Sequence, residues 1–283
     1  MASAAVAVSE MRTQGNAGMY GRAFAGLFLR DLYVLRRELF PFAIRVCMNP
    51  LLFLFVFTYI MPHMSGGARM NPTAQMAGDS FSTVLLPGLM AVAIMFSGIA
   101  AVALPLAQEF GITREIDDRV MCPLPVWAVA AEKIVFSAMQ SMIAAGIVFP
   151  LAYYVPTTPV AAHVGSWPFL VLVLVLASLV AGALGLTIGT SVKPQQIGLI
   201  FGVVVMPITF LGCVYYPWAA LGPIPWLKYG VLINPIVYMS EGMRAAVTSS
   251  AHMPGWLIVA MLCFFLAVLT RLGMKGFYRR VVG

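Results

Sequence analysis

Six times along the chain, apolar residues run with few interruptions for about 20 positions, enough for one helix to cross a bilayer. The runs cover about 42–61, 81–105, 134–155, 168–190, 197–215 and 254–272. Prolines mark their weak points. Pro50 lies inside the first run, Pro87 and Pro105 near the ends of the second, and Pro207 inside the fifth. Pro50 and Pro207 each remove a ladder hydrogen bond, so a break or bend is expected there, while Pro87 and Pro105 leave the ends of the second run open. Gly182, Gly185 and Gly189 recur late in the fourth run, where they would let another helix come close. The expected fold class is an all-α membrane protein with six transmembrane helices.

Three segments follow a different pattern. In residues 20–40, Phe24, Phe28, Leu32, Leu35 and Leu39 recur at spacings of three and four, and Arg22, Arg30, Arg36 and Arg37 project to the other side. That is a basic amphipathic helix suited to lying in the membrane interface. In residues 106–126, Ile112, Ile116 and Val120 fall four apart, as do Glu115 and Arg119, before Pro123 and Pro125 stop the element. A short amphipathic helix outside the hydrocarbon is expected. Residues 216–252 carry Pro217, Pro223, Pro225, Pro235 and two tryptophans, but few charges. The segment is too apolar for an aqueous loop, and its pieces are too short or too polar for another span. Short re-entrant helices in the outer leaflet, between spans 5 and 6, fit it, with protein covering the backbone polar groups. Residues 1–19 are rich in Ala, Gly and Ser and read as a mobile N-terminal segment. Residues 20–283 then form one transmembrane domain.

Composition sharpens this picture. Of 283 residues, 61% are hydrophobic and 10% charged, against about a quarter charged in a soluble domain. The formal net charge of +7 would suggest nucleic acid in a soluble protein. Here it follows topology instead, so no nucleic-acid partner is expected. Of the 17 lysines and arginines, all but Arg69, Lys228 and Arg244 fall on the side of the two termini. That bias places both termini in the cytoplasm, with the cations able to meet anionic membrane lipids. Trp167 and Trp256 open spans at the outer surface, and Trp127 precedes one at the inner surface.

Candidate chemistry is sparse. No GxxxxGK[ST] phosphate loop and no HExxH motif occurs. His63, His163 and His252 sit in separate connections, and Cys47, Cys122, Cys213 and Cys263 show no metal-ligand spacing. No metal, no cofactor and no catalytic residue is therefore expected in this chain. The spans are also poor in ionisable groups, which ion-driven carriers commonly place there. Energy should then arrive from elsewhere, through the 20–40 helix and the 106–126 element, which both precede spans on the inner face. An ion-coupled secondary transporter, a membrane enzyme using Glu109, Asp117 or Asp118, and a non-transporting assembly subunit are the rival classes.

On these features the chain resembles the permease subunit of an ABC-2 type exporter over roughly residues 20–280. The resemblance rests on FLRDLYVLRREL leading to NPLLFLFVF, on EFGITREIDDRVMCPLP after span 2, and on YYPWAALGPIPWLKYGVLINPIVYMSEGMR. The last holds the family's outer proline segment, then Asn-Pro, an aromatic residue and an arginine. The resemblance implies a prokaryotic cytoplasmic-membrane protein that works as a dimer with a second permease subunit, the same or different. It also implies two cytoplasmic ABC ATPase subunits, which supply ATP and Mg chemistry in the partner. ATPase coupling should involve Arg30, Arg36, Arg37, Glu109, Glu115 and Asp118. The outer gate and re-entrant region should involve Tyr215, Tyr216, Trp218, Asn234, Pro235, Tyr238 and Arg244. Physical roles follow for some of these. Asn234 suits an N-cap with Pro235 in the first turn, and Arg244 needs Glu241, a carbonyl or a phosphate beside it. Family cargoes are drugs and other amphiphiles, lipids, or polysaccharides and glycolipids. The aromatic mouth would serve an amphiphile or a sugar chain, the short outer loops suit a compact exporter, and a hydrophobic or amphipathic drug or lipid is the expected cargo.

Overall fold

The computed structural model describes residues 2–56, 60, 81–113, 125–155 and 163–281. Those residues are helical throughout their regular structure. The long elements are α1 (Ala2–Arg37), α2 (Leu39–Phe55), α3 (Phe81–Gln108), α4 (Val126–Tyr154) and α5 (Trp167–Ser191). Shorter pieces follow as α6 (Ile197–Ile200), α7 (Met206–Phe210), α8 (Pro225–Gly230) and α9 (Pro235–Val247), before the long α10 (Gly255–Val281). Four of the described helices are long and apolar enough to span a membrane: Thr83–Gly111, Val126–Leu151, Trp167–Ser191 and Gly255–Val281. The chain is thus an all-α, multi-pass membrane bundle.

The bundle is built on α3. Its residues Leu85, Leu86, Leu89, Ile94, Met95 and Ile99 are all fully buried. Small residues set the distances around it. A Cβ on Gly98 would stand 2.5 Å from the Ala181 Cβ of α5 and 2.8 Å from Ser141 Oγ of α4. Gly182 faces Ser137, Gly185 faces Ile99, and Gly189 faces Ala103 and Leu106, so these three glycines do sit where backbones approach. The order of contacts fixes direction. From 98 to 106, α3 meets α5 from 181 to 189, so the two run parallel. Contacts of Gly273 with Leu186 and Gly276 with Thr190 place α10 parallel to α5 as well. The start of α4 shares a cluster with Val102 and Leu106, so α4 runs the opposite way.

Several boundaries differ from those read in the sequence. Pro87 and Pro105 do not end α3, which carries both and continues as a π-turn over Glu109–Thr113. Span 3 begins at Val126, directly after Pro125, with Glu132 and Lys133 inside the helix rather than ahead of it. Both are buried, and Lys133 has an acidic partner, which lets the helix start earlier than hydropathy suggests. Span 5 is divided into α6, a π-turn over Phe201–Val205, and α7, which carries Pro207 in its first turn and ends at Phe210. The tail after 272 is not separate, because α10 continues through it to Val281.

The amphipathic helix expected over 20–40 lies within α1, which extends from Ala2 and closes at Arg37. Leu35 is buried, Phe24 and Phe28 are half-buried, and the Phe28 ring meets Phe136 of α4 edge-on at 5.9 Å. Leu32 and Leu39 are exposed, so the packed stripe is narrower than the sequence pattern. Glu38 breaks the helix, with φ −102° and ψ 16°, and α2 starts immediately after it.

Candidate functional site

Two polar clusters lie at opposite ends of the bundle. The first occupies the end formed by α1, the end of α3 and the start of α4. Glu109 opens the π-turn after α3, and Lys133 projects from the second turn of α4. Lys133 Nζ donates to Glu109 Oε1 at 2.9 Å, with both side chains almost wholly buried. The pair joins the walls of a cavity of about 470 Å3. Arg30, Asp31 and Glu38 reach it from the region of α1, and Arg45 from α2. Three cations and three carboxylates thus line it, in near balance.

The cavity has an apolar neighbour of about 300 Å3. The two share Arg45, Ala100 and Leu104 as lining residues. The second lobe is walled by Pro50, Phe96, Gly198 and Phe201, among others. Ser97 also lines it, and its buried hydroxyl finds no hydrogen-bond partner. The combined space is therefore amphipathic, charged at one end and apolar at the other.

The second cluster centres on α9. Glu241 and Arg244, one turn apart, are fully buried and paired through Arg244 Nη1 and Glu241 Oε1. Each then ties down another part of the chain. Arg244 Nη2 donates to the Cys213 carbonyl at 3.2 Å. Glu241 Oε1 accepts from the Trp218 backbone N–H at 3.0 Å, and Oε2 from that of Met253 at 3.1 Å. One ion pair thus holds the turn after α7, the short 3-10 helix Trp218–Leu221 and the entry to α10. Cys213 takes φ 52°, a left-handed conformation disfavoured for any side chain, and the arginine contact falls on its carbonyl.

The remaining residues singled out at this end lie around this clasp. Asn234 Oδ1 accepts from Ile236 N at 3.1 Å and caps α9, as its position before Pro235 leads one to expect. Its Nδ2 donates to the Ile208 carbonyl of α7 at 2.6 Å. Tyr238 donates its hydroxyl to the Leu232 carbonyl at 3.0 Å. Ser240 Oγ donates to the Gly212 carbonyl at 2.7 Å. Trp218 Nε1 donates to the Lys228 carbonyl at 3.1 Å, while the Lys228 ammonium stands 4.4 Å from the centre of the Trp218 ring. Tyr215 packs on Phe53 of α2, with ring centres 5.2 Å apart. Tyr216 is half-buried nearby.

The structure therefore divides the residues singled out in the sequence. Asn234, Pro235, Tyr238 and Arg244 fall at the start of α9 or along it, the first two half-buried and the last two buried, and Trp218 is tied to Glu241 of the same helix. Arg30 and Glu109 share the charged cavity, whereas Arg36 and Arg37 are exposed on α1, Arg37 donating to the Tyr33 hydroxyl at 2.9 Å. Glu109 faces Lys133 in the interior and not the open surface. Glu115 and Asp118 lie outside the described residues, as do the Glu115–Arg119 pair and the loop 62–79. Lys133 and the pivotal role of Glu241 were not legible as sites. A charged residue seven positions past the start of an apolar helix was the available signal for Lys133. Among the described residues, no group of three His, Cys, Asp or Glu could hold a metal ion.

Comparison with known proteins agrees with this architecture. The family model described as "ABC-2 type transporter" matches residues 23–248. The chain is 29% identical over 200 residues to proteins named "Inner membrane transport permease YadH" from Escherichia coli (strain K12) and from Shigella flexneri. In each case the match covers 68% of this chain and 74% of the relative.

Proposed function

The chain belongs to the ABC-2 type transporter family as a non-catalytic transmembrane permease subunit, and from that premise we propose that it exports an amphipathic drug or lipid. Export is driven by ATP hydrolysed in two cytoplasmic ABC ATPase subunits, which bring ATP and Mg to the complex. A second permease subunit, the same or different, completes the passage. Both termini and the charged end of the bundle face the cytoplasm, in keeping with the distribution of basic residues. The six-span topology counts α2 and the divided segment from α6 to α7 as spans 1 and 5. The short helices between Trp218 and Ile233 form the outer re-entrant region.

The two-lobed cavity carries the cargo reading. Its polar lobe balances three cations against three carboxylates, which suits a head group of little net charge. Its apolar lobe suits a hydrocarbon or aromatic body. A polysaccharide would need polar contacts along its whole length, and the apolar lobe offers few. Motion enters through α1, which carries Arg30, Arg36 and Arg37. Glu109 acts through Lys133 and the junction of α3 with α4, and Glu115 and Asp118 belong to the loop that meets the ATPase.

Gly198 provides the test. It lines the apolar lobe, and a Cβ built there would meet nothing within 4 Å. Gly198→Phe is designed to fill the lobe without loss of helix propensity, glycine being the poorer helix former. The expected outcome is at least about tenfold slower ATP-dependent export of a fluorescent amphiphile from vesicles, with complex assembly unchanged. Undiminished amphiphile export, or a dependence on polysaccharide instead, would overturn the cargo reading.

A further inference from the structure

Away from both clusters, a groove of about 590 Å3 runs between the start of α4 and the end of α10. Ala130 and Leu272 contribute to its apolar walls, and Arg271 and Lys275 add two cations one turn apart. Both cations are exposed, and neither forms an ion pair among the described residues. No acidic residue lines the groove among those residues. Arg280 is committed elsewhere, donating to the Val192 carbonyl at 2.6 Å and lying over the Phe110 ring. Among the described residues, the cations of the groove thus lack counter-charge.

Depth says where they lie. α10 begins at Gly255 beside Trp256, a residue type enriched at membrane surfaces. At 1.5 Å per residue, Arg271 lies roughly 24 Å along the helix and Lys275 roughly 30 Å. Those distances reach the opposite head-group boundary of a hydrocarbon layer about 30 Å thick. Trp127 and Tyr278 flank the groove there, 63% and 59% exposed. A trough with apolar walls, two unneutralised cations and an aromatic rim at head-group depth matches one chemistry in particular. We propose that this groove binds an anionic phospholipid, its phosphate held between Arg271 and Lys275 and an acyl chain lying against Ala130 and Leu272.

The groove shares no lining residue with the two-lobed cavity. A lone soluble anion would gain nothing from the apolar walls. A zwitterionic lipid would bring its own cation against the two already present. Basic residues at this depth each strengthen anionic-lipid binding several-fold.

The test uses the full chain in detergent, stripped of lipid and titrated with phosphatidylglycerol brominated in its acyl chains, with tryptophan quenching as the readout. R271Q/K275Q should need about 20-fold more lipid for half-quenching. The charge-keeping R271K/K275R should stay within about twofold of the parent, which separates lost charge from lost fold. Trp127→Phe should lose most of the lipid-specific signal. Brominated phosphatidylcholine should bind parent and R271Q/K275Q alike, and inorganic phosphate should not compete. Equal phosphatidylglycerol binding by R271Q/K275Q and the parent would overturn the proposal. So would full quenching in Trp127→Phe, or displacement of the lipid by inorganic phosphate.

Discussion

At the scale of single residues, the buried charges carry most of the specificity. Burying an ion pair in a low-dielectric interior costs desolvation, which mutual attraction and added hydrogen bonds must offset. Glu241 meets that demand with Arg244 and two backbone N–H donors. Removing it strands the guanidinium and both N–H groups, whereas removing Arg244 leaves a carboxylate that still accepts two bonds. Glu241→Ala is therefore expected to destabilise by about 3–5 kcal/mol, and Arg244→Met by less. Thermal unfolding of the two variants in detergent checks the order, and a larger loss for Arg244→Met contradicts it. The inner pair behaves differently because it borders a cavity. Glu109→Gln and Lys133→Met should each lower the export obtained per ATP hydrolysed, and the double variant should recover part of the loss. A double-mutant cycle on that ratio is the check, and strictly additive losses would show that the pair does not act as a unit. The sequence exposed Glu109 and Arg244 as charges in unusual places. It did not reveal that Glu109 turns inward, since the partner lies 24 residues away on another helix.

At the scale of elements, hydropathy located the long helices well because a bilayer rewards any uninterrupted apolar run of sufficient length. It failed where side chains satisfy a charge or a missing backbone bond. Glu132 and Lys133 lie within α4 because both are buried in the bundle, and Pro87 and Pro105 lie within α3 because neighbouring helices pack around them. The divided segment from Ile197 to Phe210 shows the converse. There the helix breaks into a π-turn just before Pro207 and stops short of Cys213. Gly88 is the point where α3 supports that stop. A Cβ at this position would collide with the Val214 carbonyl. Gly88→Ala should displace the turn that Arg244 holds and cost about 1–3 kcal/mol. Gly146→Ala is the control, because a Cβ there meets nothing within 4 Å. Equal melting temperatures for the two variants would mean that the 211–216 turn can move freely from α3. The capping role of Asn234 was legible because Asn-Pro states it locally. The convergence of Cys213, Trp218 and Met253 on α9 was not, because it depends on how distant segments pack.

At the scale of the whole molecule, the chain combines a membrane bundle, an amphipathic cavity at its charged end and a rigid clasp at the other. The composition alone announced a membrane protein, and the order of its segments announced the family. Cavities could not be read from the chain, because they arise between α1, α2, α3, α4 and α6 and depend on which side chains leave space. The clasp links the short helices near α9 to α10 and to the turn after α7, so movement of one carries the others. α3 lines the cavity and packs against α9, so under the proposed function it is the element that would carry motion from α1 to the far end. ATP hydrolysis falls, under the same proposal, to separate ATPase subunits. Export measured in sealed vesicles containing this chain, with and without its ATPase, tests that claim most directly. Transport should require both the ATPase and ATP, and the purified chain alone should hydrolyse none. Cargo movement by the chain alone, driven by a proton or sodium gradient, would contradict it.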